Sequence, residues 1–318
     1  MDTRTSLRAV SIWGLMIAAL LPVSAACGQG PAERPLRMGF MAASFFDVDP
    51  RDARIATEAW LGQVAESMDK RLDPQALVFS DSEAVVEALQ TGALEVMGLG
   101  ILDYLAFRDR APLEASLVLA SAGETVLEEY VLLVHRDRMP DSLAQLRGTR
   151  IRIGAWQGGL VRMWLDVLLG REGLPRSQAF FGSVEREERA VQTILPVFFK
   201  QVDACIVERR TLAAMIELNP QIGEDLVVWA RLPHILPGVI CFSEGCDPDL
   251  RASVRDGGLQ LHTAPEGRQV LTLYRSERIV PFEPDHLRGV LALVAEHERL
   301  WGGGRTGETD GAPAGGAK

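Results

Sequence analysis

The residues of this chain best suited to chemistry are polar residues and glycines that follow a predicted strand and open a predicted helix. Ligands of open α/β sheets bind at the carboxyl ends of strands. The first turn of a helix also offers free N–H groups and a positive dipole end to an oxyanion. Three places in the sequence have this arrangement, and we expect them to contact a ligand: Ser80, Asp81 and Ser82; Asp103 and Tyr104; and Trp156, Gln157, Gly158 and Gly159.

Each place also has a purely structural interpretation. The residues of the first place could simply cap the helix that follows them. Tyr104 could donate a hydrogen bond to a ligand or pack its ring against the domain. Gly158 and Gly159 would let the backbone approach a ligand closely because they carry no side chain. The ring of Trp156 could stack on a ligand or cover a cation.

Further ligand candidates lie after other predicted strands and at a predicted passage between domains. Glu129 or Glu208 could pair with an amine on the ligand, or could be a solvated or structural charge. The full set of these candidates is Ser44, Phe45, Glu129, Tyr130 and Glu208.

The sequence lacks the motifs of common enzymes. It has no Gly-x-Ser-x-Gly elbow, no Gly-x-x-x-x-Gly-Lys phosphate loop and no Gly-x-Gly-x-x-Gly after a strand. The five histidines are scattered and form no zinc pattern. We therefore expect no catalysis, no metal site and no cofactor.

Cysteine is sparse, with four residues in the chain. Cys205 lies in an apolar run and is interpreted as a small buried hydrophobic residue. Cys241 and Cys246 flank a Phe-Ser-Glu-Gly segment. In an oxidising compartment they could form a disulfide, and otherwise they are two free thiols.

The N-terminus has the layout of a bacterial export signal. Arg4 and Arg8 precede an apolar stretch at 10–21, and small residues follow at 24–26. The stretch is shorter than the roughly 20 residues that span a bilayer. We predict a signal peptide at 1–26 and a flexible tether at 27–35, rather than a buried core helix. Cleavage there would make Cys27 the first residue, either lipidated as in bacterial lipoproteins or simply secreted.

Composition limits the partners. Hydrophobic residues make up 47% of the chain, and the formal net charge is −10, which is typical of a globular acidic protein. The negative charge argues against nucleic acid and against anionic membranes. Contact with a membrane is expected only through an N-terminal lipid. The Gly-rich tail at 302–318 is predicted to be disordered.

Between tether and tail, strand-like and helix-like segments alternate in two similar series. This rhythm predicts an α/β protein with parallel strands covered by helices. Extended segments separate the two series. Among the predicted elements are a strand at 180–184, a strand at 226–230, and a mainly helical final portion at 249–273 and 284–300.

An ordered set of segments resembles the periplasmic substrate-binding proteins of phosphate, phosphite and phosphonate ABC transporters. The resemblance covers 36–301, and Glu95 stands where the family usually has Asp. The segments that carry it are Leu36-Arg-Met-Gly-Phe40, the run 85–98, the run 143–151, Val202-Asp-Ala-Cys-Ile-Val207 and Glu217-Leu-Asn-Pro-Gln221.

The resemblance implies a type II periplasmic-binding-protein clamp with two lobes. Each lobe would be a mixed sheet flanked by helices, and two crossover strands near 120–129 and 229–237 would join them. Lobe 1 would comprise 36–120 and 238–301, and lobe 2 would comprise 121–237. Hinge closure between the lobes would bury the ligand.

One segment departs from the family pattern. Phosphonate-binding relatives usually have a Ser/Thr-rich turn where this chain has Trp156-Gln-Gly-Gly159. We predict an extracytoplasmic protein that captures a small polar ligand, with phosphorus-containing ligands as candidates, and passes it to an ABC permease. Two alternatives stay open: a ligand-sensing module for a membrane receptor kinase, and an enzyme on the same scaffold.

Overall fold

The computed structural model of the protein describes residues 34–42, 50–67, 72–121, 123, 125–154, 158–187 and 189–302. Its strands are β1 (Arg34–Met41), β2 (Leu72–Phe79), β3 (Val96–Gly100), β4 (Leu113–Ala120), β5 (Glu128–His135), β6 (Arg150–Ile153), β7 (Ser183–Arg186), β8 (Ala204–Glu208), β9 (Leu226–Ile235), β10 (Gly238–Ser243) and β11 (Arg278–Pro281).

Helices connect most of these strands. They are α1 (Pro50–Ser67), α2 (Ser82–Gln90), α3 (Ile101–Phe107), α4 (Gly158–Arg171), α5 (Ser177–Phe180), α6 (Ala190–Phe198), α7 (Arg209–Leu218), α8 (Gln221–Asp225), α9 (Pro248–Gln260), α10 (Pro265–Leu273) and α11 (Arg288–Trp301). No helix among the described residues has both the length and the apolar character of a membrane span.

The strands form two mixed sheets. The first has the order β11-β4-β10-β3-β1-β2 and the second has the order β7-β6-β8-β5-β9. In each sheet, three neighbouring strands are parallel and the others join them antiparallel. We call the first sheet with its helices the first lobe, and the second sheet with its helices the second lobe. The predicted α/β class with two mixed sheets is confirmed.

Alternating side chains send each strand's apolar residues to both faces of its sheet, so helices must cover both faces. In the first lobe, Trp60 and Leu61 of α1 pack on one face with residues of α9 and α10. In the second lobe, Val131 and Leu133 of β5 face α6 and α7. A further cluster joins the remaining faces of both sheets and includes α3 and α4. This cluster therefore links the two lobes.

The buried acid Glu95 has a structural role in the run 85–98, one of the segments that resemble the family. Its carboxylate accepts a hydrogen bond of 2.9 Å from the backbone N–H of Arg37, just before β3 begins. Glu95 is only 6% exposed. A carboxylate at this position thus ties the turn before β3 to β1.

Of the two states left open for Cys241 and Cys246, the structure has the free thiols, and both are buried. Cys241 packs in the cluster on one face of the first sheet, together with Val239. Cys246 packs in the cluster on the opposite face, with Phe242. Cys246 lies in the turn after β10, and the two thiols pack on opposite faces of the sheet. Cys205 is a buried residue of β8, as predicted.

The chain passes from the first sheet to the second between β4 and β5, and returns between β9 and β10. These connections lie where the sequence predicts crossings. The lobe limits themselves stay a prediction, and one part of them needs correction. The last helix, α11, which falls in the range predicted for lobe 1, packs along α4 and against β9 of the second lobe.

Candidate functional site

Two helix starts, one from each lobe, face each other. Helix α3 begins directly after β3, and α4 follows the carboxyl end of β6. A Cβ atom on Gly159 would stand 3.6 Å from Cδ1 of Leu102. Since Leu102 lies in the first turn of α3, the first turns of α3 and α4 meet across the boundary between the lobes. This is the arrangement expected for a ligand cleft at the carboxyl ends of strands.

A guanidinium lies beside the start of α4. A Cβ atom on Gly158 would stand 3.5 Å from Nε of Arg186, the last residue of β7. Arg186 is exposed. A cation next to the positive end of a 14-residue helix is an arrangement that suits an anion.

Sequence reasoning missed Arg186, although a signal for it was present. β6 and β7 are parallel neighbours, and Ile153 pairs in register with Arg186. The carboxyl ends of parallel neighbours meet at one edge of a sheet, so a charged residue at the end of β7 falls close to the helix that follows β6.

Asp103 and Tyr104 lie in the first turns of α3. Burial raises the pKa of the Asp103 carboxyl above its usual value. Tyr104 is 8% exposed, and its ring belongs to the cluster that links the lobes. Burial also raises the pKa of the Tyr104 hydroxyl. The packing interpretation therefore accounts for the Tyr104 ring.

Asp81 caps α2, which is the structural interpretation of the first predicted place. Its carboxylate accepts hydrogen bonds of 3.3 Å from the backbone N–H groups of Glu83 and Ala84. Ser80 and Asp81 are exposed and Ser82 is partly buried. The hydrogen bonds of Asp81 thus satisfy two of the free N–H groups that could otherwise bind an anion at this helix.

The passage from β4 to β5 brings together several acids. Tyr130 of β5 pairs in register with Glu208, the last residue of β8. Glu208 is 4% exposed and accepts a hydrogen bond of 3.2 Å from Oγ1 of Thr211. Tyr130 is fully buried, and its hydroxyl pKa is raised well above the ordinary value, mainly by burial. Two sequence candidates, Tyr130 and Glu208, are therefore neighbours in the fold.

The other acids at this passage pair with arginines. Oε1 of Glu129 lies 2.9 Å from Nη1 of Arg231. Oε1 of Glu128, which the sequence did not single out, lies 3.2 Å from Nη1 of Arg210. Burial raises the pKa of the Glu128 carboxyl, and the positive charge of Arg210 opposes that rise. A ligand amine could therefore pair with Glu129 only in competition with Arg231.

Several predicted residues lie outside the described part of the chain. They are Ser44, Phe45, Trp156, Gln157 and the lipidation candidate Cys27. Within the described ranges, no group of three or more His, Cys, Asp or Glu side chains could hold a metal ion.

An apolar cavity of about 80 Å³ lies inside the first lobe. Its lining includes Phe40, Trp60, Gly98, Val270 and Tyr274. Oγ1 of Thr57 lies 3.2 Å from the Tyr274 hydroxyl, which pairs the polar groups of these two lining residues. Most of the lining residues lie in the first-lobe core, on the face covered by α1 and α10.

Comparisons with known proteins agree with this architecture. Residues 47–287 match a family model described as "ABC transporter, phosphonate, periplasmic substrate-binding protein". A search of curated protein sequences finds no significant match.

Solved structures share the fold at low sequence identity. A binding protein component of an ABC phosphonate transporter from Pseudomonas aeruginosa is 16% identical, with 84% of this chain and 88% of that chain covered and a TM-score of 0.59. A Xanthomonas citri protein bound to ATP is 17% identical, with 84% and 98% covered and a TM-score of 0.61. PhnD1 from Prochlorococcus marinus in complex with methylphosphonate is 14% identical, with 84% and 99% covered and a TM-score of 0.58.

The family model spans well over half of the 318 residues. The comparisons support neither the receptor-kinase alternative nor an enzyme. With two mixed sheets and facing helix starts between them, the chain belongs to the family of periplasmic substrate-binding proteins of phosphonate ABC transporters.

Proposed function

We propose that this protein binds a small phosphorus oxyanion, of the phosphonate or phosphate class, between its lobes and delivers it to an ABC permease. The observation that carries the proposal is the position of Arg186 beside Gly158, where α4 begins and faces α3. Backbone N–H groups of the first helical turn and a guanidinium are the donors that tetrahedral oxyanions prefer.

The charges near the crossings support an anionic ligand. Arg231 and Arg210 lie close enough to neutralise Glu129 and Glu128. An anion approaching α4 therefore meets less repulsion than the acidic net charge of the chain would suggest. The Pseudomonas aeruginosa and Prochlorococcus marinus structures, named for a phosphonate transporter and for bound methylphosphonate, point to the same ligand class.

A ligand screen read by thermal unfolding tests this proposal. Methylphosphonate, phosphite, phosphate and ATP would be compared with sulfate, an alkanesulfonate and free amino acids. A ligand at 100 times its Kd stabilises the folded state by about 2.7 kcal/mol. We expect at least one phosphorus oxyanion to raise Tm in this way. Stabilisation by sulfonates or amino acids alone would overturn the assigned ligand class.

The same experiment separates binding from catalysis. A binding protein returns the ligand unchanged after prolonged incubation, which ³¹P NMR would show. Appearance of a new phosphorus species would instead support the enzyme alternative.

We also propose that the chain is exported through its predicted signal peptide at 1–26, with a tether at 27–35. The family's periplasmic location supports this. Mass spectrometry of the mature protein from cell envelopes would locate the new N-terminus. Acyl chains on Cys27 would favour a lipid anchor, and an unmodified N-terminus near residue 26 would favour simple secretion. A protein that retains residues 1–26 would contradict export by this route.

A further inference from the structure

The side chain of Arg210 occupies the point where the two lobes meet. Its Nη1 atom lies 3.2 Å from Oε1 of Glu128 and donates a hydrogen bond of 2.9 Å to Oγ of Ser121. The same nitrogen donates to the backbone carbonyl of Arg275 at 3.1 Å. One guanidinium nitrogen thus contacts three oxygens.

These oxygens belong to different parts of the fold. Arg210 is the second residue of α7, which follows β8 of the second lobe, whereas Arg275 lies between α10 and β11 of the first lobe. Ser121 follows β4, and Glu128 begins β5, so both lie on the first crossover. Arg210 therefore connects the second lobe to the first lobe and to the chain segment that must bend between them.

Separating Arg210 from Glu128 would cost free energy. The Glu128 side chain is only 12% exposed, so loss of its cationic partner would leave a carboxylate poorly solvated and unpaired. Breaking a buried or partly buried ion pair from one side is costly for this reason. The arginine is thus held at Glu128 while its bond to the Arg275 carbonyl can form or break as the lobes move.

We infer that Arg210 is a positioning residue that couples the lobes, favouring the interlobe arrangement seen here and thereby setting ligand affinity without touching the ligand. The statement about affinity rests on the proposed function, whereas the statement about the lobes does not. All three contacts are made by one terminal nitrogen, so a lysine here would keep the positive charge but would have to reach the same point with a different side chain.

The chain offers a matched control. Arg231 and Glu129 form an ion pair of 2.9 Å between neighbouring strands of the second sheet. This pair has the same chemistry as Arg210 and Glu128 and lies in the same region, but it stays within one lobe. Removing it should affect local stability and leave the lobes in their original arrangement.

The test compares Arg210→Met, Arg210→Lys and Arg231→Met. Pulsed EPR would measure the distance between spin labels on cysteines introduced at the exposed positions Glu87 of α2 and Glu172 after α4, with Cys27 replaced by serine. The remaining cysteines are buried. We expect a second interlobe distance in the ligand-free Arg210→Met protein, a smaller effect in Arg210→Lys, and the native distribution in Arg231→Met.

Affinity for methylphosphonate, or for whichever oxyanion stabilises the native protein, gives a second readout. We expect Arg210→Met to change Kd by about 5-fold or more, the lower range of coupling between distant sites, and Arg231→Met, which uncovers the charge of Glu129, to change it clearly less. Native distances and native Kd in Arg210→Met would overturn the inference. If that variant fails to fold, as judged by circular dichroism, the Arg210→Lys distances decide. If no oxyanion binds the native protein, the ligand-free distances still decide the role of Arg210.

Discussion

Nε2 of His297 lies 3.8 Å from Oδ2 of Asp166, and this contact joins the last helix of the chain to α4. Both side chains are almost fully buried. Asp166 also accepts a hydrogen bond from the backbone N–H of Ser177 at 2.7 Å, and its carbonyl accepts one from Nε1 of Trp301 at 3.1 Å. Asp166 thus organises the interface between α4, α5 and α11.

This interface should make stability depend on pH. Burial lowers the pKa of the His297 imidazole below 6.5, and the charge of Asp166 only partly opposes this. In the unfolded chain the imidazole has its ordinary pKa, so the unfolded state binds the proton first as pH falls. The contribution is therefore complete above about pH 6.5 and is lost as the pH falls toward the folded pKa.

We expect His297→Gln to lower Tm at neutral pH and to make the decline of Tm on acidification shallower than in the native protein. Calorimetric Tm values at several pH values between about 7 and 5 would show this. Trp301→Phe, which removes the hydrogen bond to the Asp166 carbonyl without removing a titratable group, is the control and should leave the slope unchanged. An unchanged slope in His297→Gln would contradict the role given to this histidine.

Arg186→Gln should weaken binding of a phosphorus oxyanion by about 5- to 10-fold, since an exposed charge in contact with a ligand contributes about 1 kcal/mol. Tm without ligand should stay close to the native value because Arg186 is exposed. Isothermal titration at low and high salt would check this, and the difference from the native protein should shrink at high salt. Arg255→Gln on α9 is a matched exposed control, and a loss of affinity there would point to a general charge effect.

Gly159→Val should lower ligand affinity, whereas Gly159→Ala should be tolerated. A Cβ atom at this position meets Leu102 at an ordinary contact distance, so Gly159→Ala fits without strain. The two further methyl groups of valine must enter the space between α3 and α4. We expect native-like Tm for Gly159→Ala and a lower ligand affinity for Gly159→Val, measured by titration. Equal affinity in the two variants would show that ligand does not enter between these helices.

Val270→Ile should stabilise the protein by filling the first-lobe cavity. One added methylene contributes up to about 0.8 kcal/mol when it occupies empty space. Val254→Ile is the control, because Val254 is fully buried in the same core but does not line the cavity. Overpacking there should cost about 1–3 kcal/mol. Denaturant unfolding would measure both, and destabilisation by Val270→Ile would show that the cavity is not available to a larger side chain.

The sequence predicts much of the fold because strand runs and helix signals agree over long segments. The predicted secondary structure is wrong where a short apolar run is buried without being a strand. Phe180 and Phe181 suggested a strand at 180–184, but Phe180 ends the one-turn helix α5 and the strand runs from Ser183 to Arg186. Both rings are buried, so their apolar character reflects burial and not strand geometry.

Two strands were underpredicted for related reasons. β9 continues to Ile235 through Pro233, beyond the predicted end at 230. Proline is tolerated there because β9 is an edge strand. β11 is a four-residue strand that ends in Pro281, too short for a period-two pattern to identify.

The candidate site was predicted in part. The starts of α3 and α4 were two of three places offered as ligand contacts, because the rule of strand ends depends only on topology; these two face each other in the structure, and ligand contact at them stays a prediction. Arg186 and Arg210 were missed because their roles depend on which strands become neighbours and on contacts between lobes. A helical pattern also cannot say which sheet α11 will cover.

The packing of α11 adds a third connection between the lobes, besides the two crossovers. After β11 of the first lobe, the polypeptide returns to the second lobe, where Arg171 holds Glu296 with two hydrogen bonds of 2.8 and 2.6 Å. Any opening must therefore flex three connections instead of two, which restricts twisting more than a double hinge does. A fluorophore attached near Trp301 would consequently move with the second lobe, and could report domain motion against a partner dye on α2.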